Sequence, residues 1–211
     1  MAGIGKTTLA GIVFSQIKAK FDAHCFVSNV KEEMRKEKPI VLRNKIVGSL
    51  LGDENLKMGT PLLVLDDWIL RRLQRKKVLI VFDDVDDSND LDLLAGNSSL
   101  YRKGSRIIIT STDRQVLKNV CHEEHIYQVE GLIDEEALQL FSLHAFKQNE
   151  PKEGYVELSE QVISYAQGNP LALKVLGSSL YGMEKEYWES QLLKLKSIPS
   201  KSIQDISVMI G

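Results

Sequence analysis

The chain has 211 residues, 43 % apolar and 27 % charged, with a formal net charge of −2. That length holds one large or two small domains and a sizeable core, while the near-neutral charge excludes a protein driven onto nucleic acid or an anionic membrane by its own field. The two cysteines, Cys25 and Cys121, share no metal or redox spacing and read as reduced thiols of a cytosolic protein; no apolar run reaches the length of a membrane span, and no signal-peptide pattern or internal repeat is present.

The first element is a loop. Gly3-Ile4-Gly5-Lys6-Thr7-Thr8 carries the end of the phosphate-binding pattern G-x-x-x-x-G-K-[ST]. The first glycine of that pattern, and the strand that feeds such a loop, would precede Met1, so the chain is expected to begin inside its motif. Gly5 lets consecutive N–H groups converge on an anion. Lys6 carries a point charge to the outer phosphates, and Thr7 offers a hydroxyl to Mg²⁺. The bland alternative is a glycine turn capped by threonine. Residues 6–20 then read as a helix with Leu9, Ile12, Val13 and Ile17 on one stripe and its positive end at the phosphate.

Residues 23–30 alternate and read as a strand, followed by a charged stretch over 31–38. Pro39 opens a helix through Leu51. Residues 52–59 read as a loop and 61–74 as helical. Residues 78–84 form an apolar run ending in Asp83 and Asp84, the pattern of a strand buried on both faces of a parallel sheet. Asp86, Asp87, Ser88 and Asn89 offer caps for a short helix through Leu94. Residues 104–110 read as another buried strand, 113–120 as a helix and 126–129 as a fourth strand. Strands alternating with helices indicate a parallel α/β layer. After Gly131 only amphipathic helices follow, over residues 134–146, 153–167, 170–180 and 184–196.

Three further stretches carry chemistry. In a protein with a phosphate loop, an acidic residue ending a buried strand holds Mg²⁺, so Asp83 reads as the metal partner and Asp84 as the group that orients or activates water. The run LLVLDD at 62–67 has similar letters, but it continues into Trp68 without a turn residue. It therefore reads as a helix with Asp66 and Asp67 on its surface. Thr110 and Ser111, at the end of the next strand, face the ligand crevice of an open α/β sheet and could reach a terminal phosphate. Gly168-Asn169-Pro170-Leu171 joins two helices, where a rigid proline can pack on an adenine ring; a plain helical connector is the simpler alternative.

The blocks GIGKTT, FDAHCFVSNVKEE, KKVLIVFDDVDD, GSRIIITSTD, YQVEGLIDEEALQLFSLHAF and GNPLALKVLGSSL, in that order over about residues 3–182, resemble the NB-ARC nucleotide-binding domain of plant disease-resistance receptors. Aspartate rather than tryptophan at Asp86 is similar to the subclass with a TIR domain in front. The resemblance implies an α/β P-loop NTPase sheet, its first strand missing, over residues 1–131. A small all-α subdomain would cover 132–196, and 197–211 would begin a winged-helix subdomain. It implies an ATP/ADP switch of the STAND class, off with ADP and on with ATP, with a leucine-rich repeat region behind it. A homo-oligomer on activation, a cytoplasmic location with the nucleus as a second compartment, and no direct contact with nucleic acid are implied too. By motif, Gly3, Ile4, Gly5, Lys6, Thr7 and Thr8 cradle phosphate, and Thr7 and Asp83 take Mg²⁺. Lys6 and Asp84 serve hydrolysis, Thr110 meets the terminal phosphate, and Pro170 with Leu171 meets adenine.

Thr112 stands where the family has an arginine that senses the terminal phosphate. Arg114 would project on the same side if the chain stays extended, and is expected to substitute in part. The family's I-S-Y-D run is replaced by Ile206-Ser207-Val208-Met209, so the chain reads as cut at both ends. The missing strand is expected beside the one ending at Asp83, leaving that strand without a neighbour and the chain prone to aggregate. Two other readings compete with the switch. One is a turnover ATPase or kinase, although no acceptor lid is visible. The other is a truncated remnant unable to hold nucleotide.

Overall fold

Three apolar runs form parallel strands: β1 (Ala23–Val27), β2 (Val78–Phe82) and β3 (Arg106–Ile109), in the spatial order β1-β2-β3. The register aligns Cys25 with Ile80 and Ile107, and Phe26 with Val81 and Ile108. The computed structural model describes residues 2–53, 56, 67–95 and 100–197. They divide into a sheet unit, residues 6–127, and a helical unit made of residues 2–5 and 128–197.

In the sheet unit α1 (Lys6–Ile17) precedes β1, the crossovers carry α2 (Val30–Lys36), α3 (Pro39–Leu51), α4 (Asp67–Leu73) and α5 (Ser88–Leu94), and α6 (Arg114–Val120) follows β3. One sheet face, with Val27, Val78, Ile80 and Phe82, shares a core with Leu42, Ile46 and Leu50 of α3 and with Leu91 and Leu94 of α5. On the other face α1 lays Phe14 edge-on against His24 and Phe26, at 5.5 and 5.4 Å. This corrects the expected stripe of α1. Leu9 and Ile12 are exposed, and Ala10 is the residue of α1 that is buried. The inward line runs through buried Ala10 and half-buried Val13, Phe14 and Ile17, so Val13 and Ile17 of the expected stripe stay on it and Leu9 and Ile12 do not.

β2 is wholly buried and pairs on both sides, so the expected loss of a neighbour at the Asp83 strand does not occur. β3 is half-buried, not fully buried, because among the described residues it is the last strand of the sheet. The expected fourth strand at 126–129 is irregular chain. Ile126 and Val129 are half-buried while the two residues between them are exposed, a spacing of three that a strand cannot supply. β1 stops at Val27 because Asn29 turns left-handed, φ 49°, into α2. That helix lies in the stretch read only as charged. Glu32 and Glu33 fall in its first turn and Arg35 and Lys36 in its last, complementing the helix dipole.

The helical unit contains α7 (Asp134–Phe146), α8 (Val156–Ala166), α9 (Pro170–Leu180) and α10 (Lys185–Ser197). Their core includes Phe141, Val162, Leu173, Leu180 and Trp188. A Cβ at Gly177 would lie 2.8 Å from His144 Cβ and 2.9 Å from the Phe141 carbonyl, so α9 packs backbone-close on α7 only as glycine. Trp188 stacks on Phe146 at 5.4 Å and donates from Nε1 to the Leu180 carbonyl at 3.1 Å. Residues 2–5 group with these helices, which differs from the expected division at residue 131. Within that unit Ala2 and Gly3 are hydrogen-bonded to Asn169 and Leu171. Residues 61–66, with Asp66, and the expected winged-helix start at 198–211 lie outside the described residues; Asp67 does sit exposed at the start of a helix. No helix among the described residues is long and apolar enough to cross a membrane.

Candidate nucleotide-binding site

Where β2 ends, Asp83 is 4 % exposed. Its backbone continues the ladder, donating from N–H to the Val27 carbonyl at 2.9 Å and accepting from Val30 N–H at 2.8 Å. That pairing aims the side chain off the sheet's carboxyl end, where ligands of open α/β sheets bind. Two hydroxyls meet it. Thr7 Oγ1 is 3.0 Å from both carboxylate oxygens, and Thr110 Oγ1 donates to Oδ1 at 2.6 Å. Threonines 76 residues before and 27 residues after Asp83 thus converge on one carboxylate.

Thr7 arrives there because α1 starts at Lys6, straight after Gly5 at φ 96°, which only glycine adopts without strain. Burial pushes the Lys6 ammonium below its ordinary value, and the negative charges of Asp84 and Asp83 oppose that shift. The Thr7 contact with Asp83 brings the start of α1 to the carboxyl end of β2. Asp84 follows in a left-handed conformation, φ 57°, with its N–H donating to Thr110 Oγ1 at 3.0 Å. Thr8 is exposed beside Thr7, Ile4 is buried, and Gly3 takes φ 74°.

Other expected residues are differently employed. Ser111 donates to the Val85 carbonyl at 2.7 Å and accepts from Asp113 N–H, so its hydroxyl shapes the loop after β3 and does not reach toward a phosphate. Thr110 spends its proton on Asp83. Arg114 is not in extended chain: it opens α6, behind the Asp113 cap, and pairs with Glu123 at 2.6 Å. Lys118 and Arg114 together hold the exposed Glu123 carboxyl below its usual range. Pro170 is the first residue of α9, half-buried, and Leu171 is 50 % exposed.

Sequence reasoning missed Asn169. It is 5 % exposed and its Oδ1 accepts from the N–H groups of Leu171 and Ala172 at 3.0 and 3.2 Å. Its Nδ2 donates to the Ala2 carbonyl at 3.0 Å. The cap was readable from Asn-Pro at a helix start; the second bond, spanning 167 residues, was not.

The donors around Asp83 are hard oxygens, the kind that suits Mg²⁺. Among the described residues no group of three or more His, Cys, Asp or Glu side chains could hold a metal alone.

The family model of the NB-ARC domain matches residues 1–151. The chain is 38 % identical over 98 % of its length to a disease resistance-like protein, DSC1, of Arabidopsis thaliana. It is 39 % identical over 98 % to disease resistance protein RPV1 of Vitis rotundifolia, and 36 % identical over 97 % to TMV resistance protein N of Nicotiana glutinosa. It spans 17 %, 15 % and 18 % of the length of those relatives.

Proposed function

Because the chain belongs to the NB-ARC family, we propose that it is the nucleotide-binding module of a plant immune receptor, holding ADP in its resting state and ATP in its active one. The observation that carries this reading is the buried Asp83 carboxylate, met by the Thr7 and Thr110 hydroxyls with Lys6 close enough to feel its charge. Lys6 and the N–H groups entering α1 bind the outer phosphates. Thr7 and Asp83 would hold Mg²⁺, which draws charge from the phosphate oxygens when bound. Asp84 orients the water of a slow hydrolysis that resets the switch. Gly3, Ile4, Gly5 and Thr8 complete the loop. Thr110 serves by keeping Asp83 aimed, and Pro170 with Leu171 offers an apolar seat for adenine. TIR and leucine-rich repeat domains, a homo-oligomer on activation and a cytoplasmic or nuclear location belong to the same proposal.

Titration of labelled ADP with Mg²⁺ tests it. Lys6→Ala removes a charge-assisted contact and should weaken binding at least about tenfold. Asp83→Asn should weaken it only when Mg²⁺ is present. Wild-type chain that ignores ADP, or Lys6→Ala that binds as well as wild type, overturns the reading. Arg114→Ala addresses nucleotide discrimination: a loss of ATP affinity alone supports Arg114 as the stand-in for the arginine replaced at Thr112, and equal changes for both nucleotides remove that role.

A further inference from the structure

We infer that Asn169 is a positioning residue for the phosphate loop, holding Ala2 and Gly3 in register with the start of α9 and so setting nucleotide affinity without touching nucleotide. The inference rests on the nucleotide reading above. Its ground is the division of labour within one buried side chain. Two backbone N–H groups, of Leu171 and Ala172, face one end of the amide, so that end is the oxygen. The Ala2 carbonyl faces the other end, so that end is the NH₂. Helix capping alone asks for much less: serine, threonine and aspartate cap as asparagine does. None of these can accept from a helix start and, from a second atom, donate to a carbonyl. The residue type is matched to the second bond.

The loop side is matched as well. Leu171 N–H also points at the Gly3 carbonyl, at 3.3 Å. A Cβ added to Gly3 would come within 2.7 Å of Leu171 Cβ and 3.0 Å of Asn169 Oδ1. Gly3 at φ 74° and Asn169 therefore form a complementary pair, one supplying a carbonyl and an empty space, the other filling it. Two residues on from Gly3 the chain reaches Gly5, and then Lys6. With the backbone held at Ala2 and Gly3, few conformations remain for the N–H groups that must converge on phosphate. Released, the same segment loses that preorganisation and the ligand must supply the ordering.

The test uses variants that keep the cap and lose the second bond. Asn169→Asp retains an acceptor for the helix start but presents a carboxylate oxygen to the Ala2 carbonyl. Asn169→Ser retains the cap with no donor in reach and no new charge. Both should melt within about 3 °C of the wild-type apo protein. Both should bind ADP about tenfold more weakly, the loss of one buried hydrogen bond. Amide exchange at Gly3 to Gly5 should quicken in both. If the two variants bind ADP as wild type does while Lys6→Ala does not, the positioning role is overturned and the nucleotide reading stands. If neither variant melts cooperatively, Asn169 is a structural residue and the role is again overturned. Wild-type chain that fails to bind ADP overturns both.

Discussion

A carboxylate taken out of water loses several kcal/mol of solvation unless other donors replace the water. At Asp83 the replacements are Thr7 and Thr110, and the latter also receives the Asp84 N–H. Thr110→Val removes a donor from a buried anion and a partner from a backbone N–H. We expect a loss of about 1–3 kcal/mol in denaturant unfolding. Tyr101 makes a second prediction. Its hydroxyl donates to the Ala95 carbonyl at 2.7 Å, and burial pushes its pKa up to about 12, against the opposing charge of Arg43. A pKa above the ordinary 10.0 means that the fold favours the neutral hydroxyl. The stability it contributes is complete below pH 10 and is lost as pH rises through the window from 10 to about 12. In an absorbance titration at ~295 nm, Tyr101→Phe should delete the latest tyrosine step of the folded protein. Lys6, Thr7, Asp83 and Asp84 could be singled out in the sequence by residue type and spacing, and the structure joins Thr7 to Asp83. The Thr110 bond to Asp83 was not legible, since a sequence does not reveal which neighbour takes a hydroxyl proton.

Elements were legible where local rules settle their ends. Pro39 and Pro170 open α3 and α9 at the residues expected, and Asp87 and Asp113 cap α5 and α6 by accepting from Asn89 and Gln115 N–H groups. They were not legible where a partner decides. The 126–129 stretch has strand-forming residues but pairs with no strand among those described. The α1 stripe took in Leu9 and Ile12, which are exposed, beside half-buried Val13 and Ile17, because helical periodicity gives a face and not the surface it meets. This has a measurable consequence. Ile12, 51 % exposed, should accept glutamine with a stability change within about 0.5 kcal/mol. Ile80, at the buried centre of β2, should lose about 2–5 kcal/mol as alanine. Gly177→Ala forces α9 from α7 and should cost about 1–3 kcal/mol in spite of its better helix propensity.

At the scale of the whole molecule, the described residues form two hydrophobic cores, one against a face of the sheet and one among the helices. The sequence turns to helix-only patterning after Gly131, while the sheet unit ends at residue 127. The membership of residues 2–5 was not legible, because it depends on contacts with residues 169 and 171 that no local pattern encodes. The aromatic cluster of the helical unit follows the same logic of distant partners, and it gives the protein an optical consequence. The chain holds two tryptophans: Trp68 is 47 % exposed on α4, while Trp188 is 1 % exposed against Phe141, Phe146 and Tyr155. With Trp68→Phe, the remaining emission should be blue, and its red shift in urea should follow the helical unit alone. Phe141→Ala in that background should bring the red shift at lower urea. The indole is thus an intrinsic lamp, lit from inside one half of the chain, by which the melting of that half can be watched without a label.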